Sequence, residues 1–128
     1  MKNQRETWDA LRAKYLAAYE AARDLEIKLS ARYLGASQSW LWRGWITKGE
    51  KSRLETLETR RDKLGEKVVA MIVAISPRGE RWLSGVPVSW LRGDLTFDDA
   101  MRPIGEPLSV EVPLARGWTR EDQKRSLG

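Results

Sequence analysis

Between Thr47 and Ile75 the chain reads TKGEKSRLETLETRRDKLGEKVVAMIVAI, and whether this is one element or two decides the fold. Leu54, Leu57, Arg61, Leu64, Val68, Met71 and Ile75 recur at spacings of 3, 4, 3, 4, 3, 4, the repeat of a helix with one apolar seam. Thr47 and Glu50 have the Thr-x-x-Glu spacing of a capping box, which starts the helix near Lys48. Two features pull the other way. Gly65, following Arg60, Arg61 and Lys63, has the look of a C-cap with charges matched to the helix dipole. Val68 to Ile75 is apolar all round and partly β-branched, as a buried strand would be. The repeat nevertheless crosses Gly65 without a slip, and one internal glycine costs only about 1 kcal/mol. The reading adopted is a continuous helix to about Ile75; a helix ending at Gly65 and followed by a strand is the alternative.

A second heptad seam precedes it. Trp8, Leu11, Tyr15, Ala18, Ala22, Leu25 and Leu29 have the same alternating spacing, and Ala10, Ala13, Ala17, Ala21 and Ala31 add helix propensity. A helix over about Arg5–Leu34 follows, with Gly35 as its stop and the small pair Ala18 and Ala22 allowing close approach of a partner helix. The connection carries Trp40-Leu41-Trp42-Arg43-Gly44-Trp45-Ile46-Thr47. With Arg43-Gly44 as a two-residue turn, Trp42 faces Trp45 and Leu41 faces Ile46, so the connection is expected to be a small β-hairpin with three tryptophans on one face. Arg is a poor residue for the positive φ of that turn, which leaves an aromatic loop or a short helix as alternatives.

Beyond the strong turn Ser76-Pro77-Arg78-Gly79 the texture changes to short pieces punctuated by Gly and Pro. Thr96, with Asp98 and Asp99 behind it, caps a short helix over Phe97–Arg102. Leu108, Val110, Val112 and Leu114 alternate with polar residues, but Pro107 and Pro113 confine them to an edge strand or an arm. The tail from Gly117 is expected to be mobile unless Trp118 anchors it. The expected fold is therefore mainly α: a long antiparallel, coiled-coil-like helical hairpin, a small β-hairpin between the helices, and an irregular α+β extension. Residues 1–76 form the hairpin unit and 77–128 the extension.

Composition removes most chemistry. The 128 residues include no Cys and no His, which excludes thiolate nucleophiles, Ser-His-Asp triads and the usual zinc sites. Asp94, Asp98, Asp99 and Glu106 are the densest acidic group, but their spacing is that of no known metal loop and helix capping explains two of them. No cofactor, metal site or catalytic residue is expected, and the chain is read as non-enzymatic. The charged N-terminal segment is not that of a signal peptide, and no apolar run is long enough to span a membrane. The net charge of +5 is spread with acids interleaved; even Arg60-Arg61-Asp62-Lys63 is interrupted.

Seven Trp against one Phe is the informative excess. Trp40, Trp42 and Trp45 around Arg43 are either a small core closing the end of the helix pair or a contact surface, since Trp and Arg concentrate in binding hot spots. Trp90 and Trp118 are candidate contacts of the extension, with burial as the competing reading for it. The alternative nucleic-acid surface is Arg43, Arg53, Arg60 and Arg61.

The run Trp45-Ile46-Thr47-Lys48-Gly49-Glu50, with Leu54 and Leu57 after it and the Ala-rich first helix before it, resembles the hairpin-to-helix junction of small tailed-phage head–tail joining proteins of the W type. The resemblance covers about residues 5–75; residues 77–128 have no counterpart. It implies a ring-forming, non-catalytic adaptor. The expected function is thus protein–protein interaction, as a phage-type assembly or adaptor protein that self-assembles or binds a host or virion protein. The alternatives are a phage- or plasmid-encoded inhibitor of a host defence complex, such as an anti-CRISPR, and a nucleic-acid-binding accessory protein. The expected location is the bacterial cytoplasm or the virion, without membrane association.

Overall fold

The computed structural model describes residues 3–33, 41–109 and 111–127. Helix α1 (Gln4–Ser30) and helix α2 (Lys48–Ile75) pack against each other as a hairpin. Asn3 caps α1 by accepting from the Glu6 N–H at 2.8 Å. The capping box of α2 is complete: Thr47 Oγ1 accepts from the Glu50 N–H at 3.1 Å, and Glu50 Oε1 accepts from the Thr47 N–H at 3.0 Å. The Glu50 carboxyl is accordingly held below its ordinary pKa, first by that backbone N–H and further by Arg32.

Helix α2 runs through Gly65 without interruption. The glycine is there for space. A Cβ at position 65 would lie 2.7 Å from Nε and 2.8 Å from Cδ of Arg92, and 3.0 Å from Cε1 of Tyr15. The notch admits the Arg92 side chain against the helix backbone, so the run from Val68 to Ile75 continues as helix. Of that run, Val68 and Ile72 face the core.

The β-hairpin between the helices is not formed. Leu41–Gly44 is a single 3-10 turn, closed by the Trp45 N–H on the Trp42 carbonyl at 2.9 Å. A two-residue hairpin of the favoured type needs positive φ at both central residues. Neither Arg43 nor Gly44 has it. The turn instead directs Trp42 inward, where it is buried with Leu29 of α1 and Leu54 of α2. Gly35 and Trp40 lie outside the described residues.

The extension folds back on the helix pair as short helical pieces: a 3-10 turn at Gly79–Leu83, α3 (Val88–Gly93), α4 (Phe97–Ala100) and α5 (Arg120–Leu127). The main core joins both parts of the chain. Trp8, Tyr15, Val68 and Ile72 from the helix pair meet Trp82, Trp90, Leu91, Leu95, Ala100 and Val112 from the extension. Full burial of each Val, Leu or Ile side chain among them stabilises by about 1.5–3 kcal/mol relative to exposure.

Among the described residues there is no strand, so the α+β expectation for the extension is also corrected. Pro107 and Pro113 were one obstacle; the other is that side chains of α5 take the carbonyls a neighbouring strand would have taken. Gln123 Nε2 donates to the carbonyls of Val112 and Pro113, both at 2.9 Å, and Arg120 donates to that of Val112 at 2.7 Å. The tail expected to be mobile contains α5 itself. Its start is a reciprocal cap, with the Asp122 N–H on Thr119 Oγ1 and the Thr119 N–H on Asp122 Oδ2, each at 3.1 Å.

Two buried polar centres knit this half. Ser76, ending α2, donates its hydroxyl to the Ala100 carbonyl and accepts from Trp82 Nε1 at 2.9 Å. Arg78 is 4% exposed, lies 5.5 Å from the Trp82 ring centroid, and donates to carbonyls of Arg102, Pro103, Glu106 and Leu127. Burial lowers its pKa, but the guanidinium stays charged because arginine starts so high.

Gly85 gives a direct test of this packing. Its φ is +72°, and a Cβ there would lie 2.3 Å from the Trp118 ring. Gly85→Ala should destabilise by about 2–4 kcal/mol, combining left-handed strain with displacement of the ring. Gly105 also has positive φ but open space around it. Gly105→Ala should cost about 1 kcal/mol, the backbone term alone. Equal losses in urea titrations of the two variants would mean that Trp118 is not seated on Gly85.

Candidate functional site

The six tryptophans among the described residues divide sharply by burial. Trp8 and Trp82 are fully enclosed, and Trp42 and Trp90 are each 5% exposed. Trp90 stacks at a tilt on Trp82, with ring centroids 5.9 Å apart. Neither Trp42 nor Trp90, both candidate contact residues from the sequence, offers a face to a partner. Trp118 is half-buried over Gly85 and serves to fasten the segment before α5.

Trp45 is different. It is 53% exposed at the tip of the hairpin, between the 3-10 turn and α2. Its backbone and ring are nonetheless held. The Tyr33 hydroxyl donates to the Trp45 carbonyl at 2.9 Å, and the two rings lie 5.4 Å apart at 57°. A large exposed ring that is already fixed in position loses little conformational entropy when covered. Along α1, Leu16, Tyr19 and Ile27 are also exposed. Their spacings of 3 and 8 put them on one flank of the helix.

Arg43, in the 3-10 turn just before Trp45, is committed within the chain. It pairs with Glu58 of α2 at 2.9 Å and Glu26 of α1 at 3.4 Å, and its guanidinium lies 5.2 Å from the Trp42 ring centroid. It ties the turn to both helices, at a net gain of about 0–1 kcal/mol for such half-exposed pairs.

The arginines proposed as a nucleic-acid surface do not form one set. Arg43 and Arg61 are both ion-paired, Arg61 with Asp62 at 2.9 Å and Glu58 at 3.8 Å. Arg53 and Arg60 are exposed. Arg60 instead lines an open groove of about 750 Å³ with Lys14 of α1 and Lys63 and Lys67 of α2. Reasoning from sequence missed these three lysines. The signal was present in the spacing of Arg60, Lys63 and Lys67, which puts all three on one helix face.

The acidic residues do not converge. Asp99 is fully buried and accepts from the Ser109 hydroxyl at 2.7 Å, the Ser109 N–H at 3.0 Å and Arg102 Nε at 2.9 Å. Asp98 is exposed and pairs with Arg5, while Asp94 and Glu106 are exposed. Among the described residues no three acidic groups are placed to share a metal ion, and no helix is long and apolar enough to cross a membrane. Comparison with protein-family models, with curated proteins and with solved structures finds no match to this chain.

Proposed function

We propose that the chain is a non-catalytic binding protein that docks on a protein partner through the tip of its helical hairpin. The observation that carries this reading is Trp45, an exposed ring held in place by Tyr33. Rigid aromatic anchors of this kind dominate the energetics of protein interfaces. Leu16, Tyr19 and Ile27 are further exposed apolar side chains, on one flank of α1.

In its most concrete form the protein is a phage-type assembly or adaptor component. The likeness to W-type joining proteins now rests on the Trp45–Leu57 junction and the Ala-rich α1, because the hairpin itself is replaced by a 3-10 turn. One observation favours the second reading, an inhibitor of a host defence complex. Trp82 and Trp90 of the extension, which an arm inserted into neighbouring subunits would use, are buried in the chain's own core. A ring-former should scatter light as a closed oligomer, whereas an inhibitor should run as a monomer or dimer and co-purify with one target.

Pull-down from the native host or virion tests both forms. Trp45→Ala should lose the partner that the wild-type chain captures while its melting temperature stays within about 2 °C, as for a surface substitution. Capture of the same partner by both proteins would rule out the tip as the docking site.

A further inference from the structure

The groove on the opposite flank of the hairpin from the α1 apolar stripe is built of cations left without counter-ions. Lys14, Arg60, Lys63 and Lys67 are exposed, and among the described residues none of them is in an ion pair. This is not for lack of acids, since seven other arginines of the chain are paired. Within α2, the positions three and four residues from Arg60 are Thr56, Leu57, Lys63 and Leu64, so its only charged neighbour is a like charge. Lys63 has Glu66 on one side but Arg60 and Lys67 on the same face. Like charges at these spacings destabilise a helix by a few tenths of a kcal/mol each. The arrangement therefore costs folding stability, and an anion laid along it would relieve that cost.

We infer that this groove binds the phosphate backbone of a nucleic-acid duplex, without reading its sequence. Three features select that occupant. First, hydroxyls of Ser52 and Thr59 line the same groove and supply neutral donors of the kind phosphate oxygens accept, while that of Thr56 donates to the Ser52 carbonyl at 2.9 Å. Second, the groove holds no aromatic ring and its apolar lining is Leu64, with Leu57 and small alanines where it continues toward α1, so it lacks the stacking platform that single-stranded ligands need and the large aromatic anchors of a protein interface. Third, the floor continues toward α1 over Ala17, Ala18 and Ala21, which leave room for a backbone to approach between Lys14 and Arg60. Ser52 to Lys67 spans about 22 Å of helix, over which a duplex presents roughly one negative charge per 1.7 Å of its axis. Glu55 is the one acid among the residues that line the groove.

The inference is independent of the tip. It is tested by fluorescence anisotropy with a labelled DNA duplex of about 20 bp, in two unrelated sequences, titrated between roughly 50 and 200 mM salt. The wild-type chain should bind both sequences alike. The triple variant Arg60→Gln, Lys63→Gln, Lys67→Gln should bind at least about tenfold more weakly, with a log–log salt slope shallower by about 3, because three phosphate contacts are lost. A control triple, Arg81→Gln, Arg116→Gln, Lys124→Gln, removes the same charge from exposed sites elsewhere and should keep most of the affinity. Circular dichroism of both triples shows that they fold. The inference is overturned if the duplex does not bind at the lowest salt. It is equally overturned if both triples lose affinity alike, if the single strand binds more tightly than the duplex, or if polyglutamate of matched charge competes as well as the duplex does. Trp45→Ala should leave duplex binding unchanged.

Discussion

Trp82→Ala is expected to cost about 3–5 kcal/mol and to lower the melting temperature by roughly 10–20 °C in a chain of this size. The ring is fully buried, stacks on Trp90, lies over the Arg78 guanidinium, and donates its N–H to Ser76. Truncation opens a cavity where the two parts of the chain meet, and it removes the cation's aromatic neighbour. It also takes away one of the bonds to the Ser76 hydroxyl, which still has the Ala100 carbonyl and the Arg78 N–H at 3.2 Å. Trp82→Phe should recover more than half of the loss, since most of the volume returns, while the rest of the indole and its N–H stay missing. A melting curve that splits into two transitions for Trp82→Ala would mean that the extension and the helix pair are held apart more than their shared core implies.

Asp99→Ala is the second large effect, about 3–5 kcal/mol, because it removes the one charged acceptor of three part-buried hydrogen bonds, from Arg102 Nε and from the Ser109 hydroxyl and N–H. Burial alone would raise the pKa of this carboxyl. The hydrogen bonds from Ser109, Thr96 and Arg102 outweigh it and hold the group below its ordinary 3.8. The sign follows: a carboxyl with a depressed native pKa contributes stability that is fully present above its unfolded value and is lost as pH falls through the native one. Asp122, held down by Thr119, acts in the same direction. The wild-type chain should therefore be stable at neutral pH and lose stability steeply once pH drops below about 4. The Asp99→Ala variant should show a shallower loss over the same range in urea midpoints measured against pH. Parallel curves for the two proteins would exclude Asp99 as a source of the acid sensitivity.

The parts of the fold legible in the sequence are those set by neighbours three or four residues apart. Both heptad seams, the Thr47–Glu50 box and the Thr96 cap can be read in this way, and the phase of the repeat across Gly65 outweighed the glycine's habit of ending helices. Thr119 and Asp122 carried the same kind of signal, three residues apart, and a reading that admits Asp as well as Glu in the capping box would have found α5. What was not legible depends on distant partners. Arg78 bonds to carbonyls 24 to 49 residues away, and nothing in the local sequence marks it as a buried hub. The Trp42–Trp45 turn misled because period two in a Trp-rich run has the pattern of a strand, whereas burial of one ring between two helices favoured a 3-10 turn. The same geometry separates the tryptophans that composition could not: Trp42 goes inward and Trp45 outward, three residues apart.

The claim that Trp45 is a docking anchor is tested most directly by the dissociation constant of Trp45→Ala for the partner that the wild-type chain captures. The expected result is a loss of about 2 kcal/mol or more, roughly 30-fold in affinity, with the thermal transition unchanged. An unchanged affinity, or a loss that appears only together with a lowered melting temperature, would contradict it.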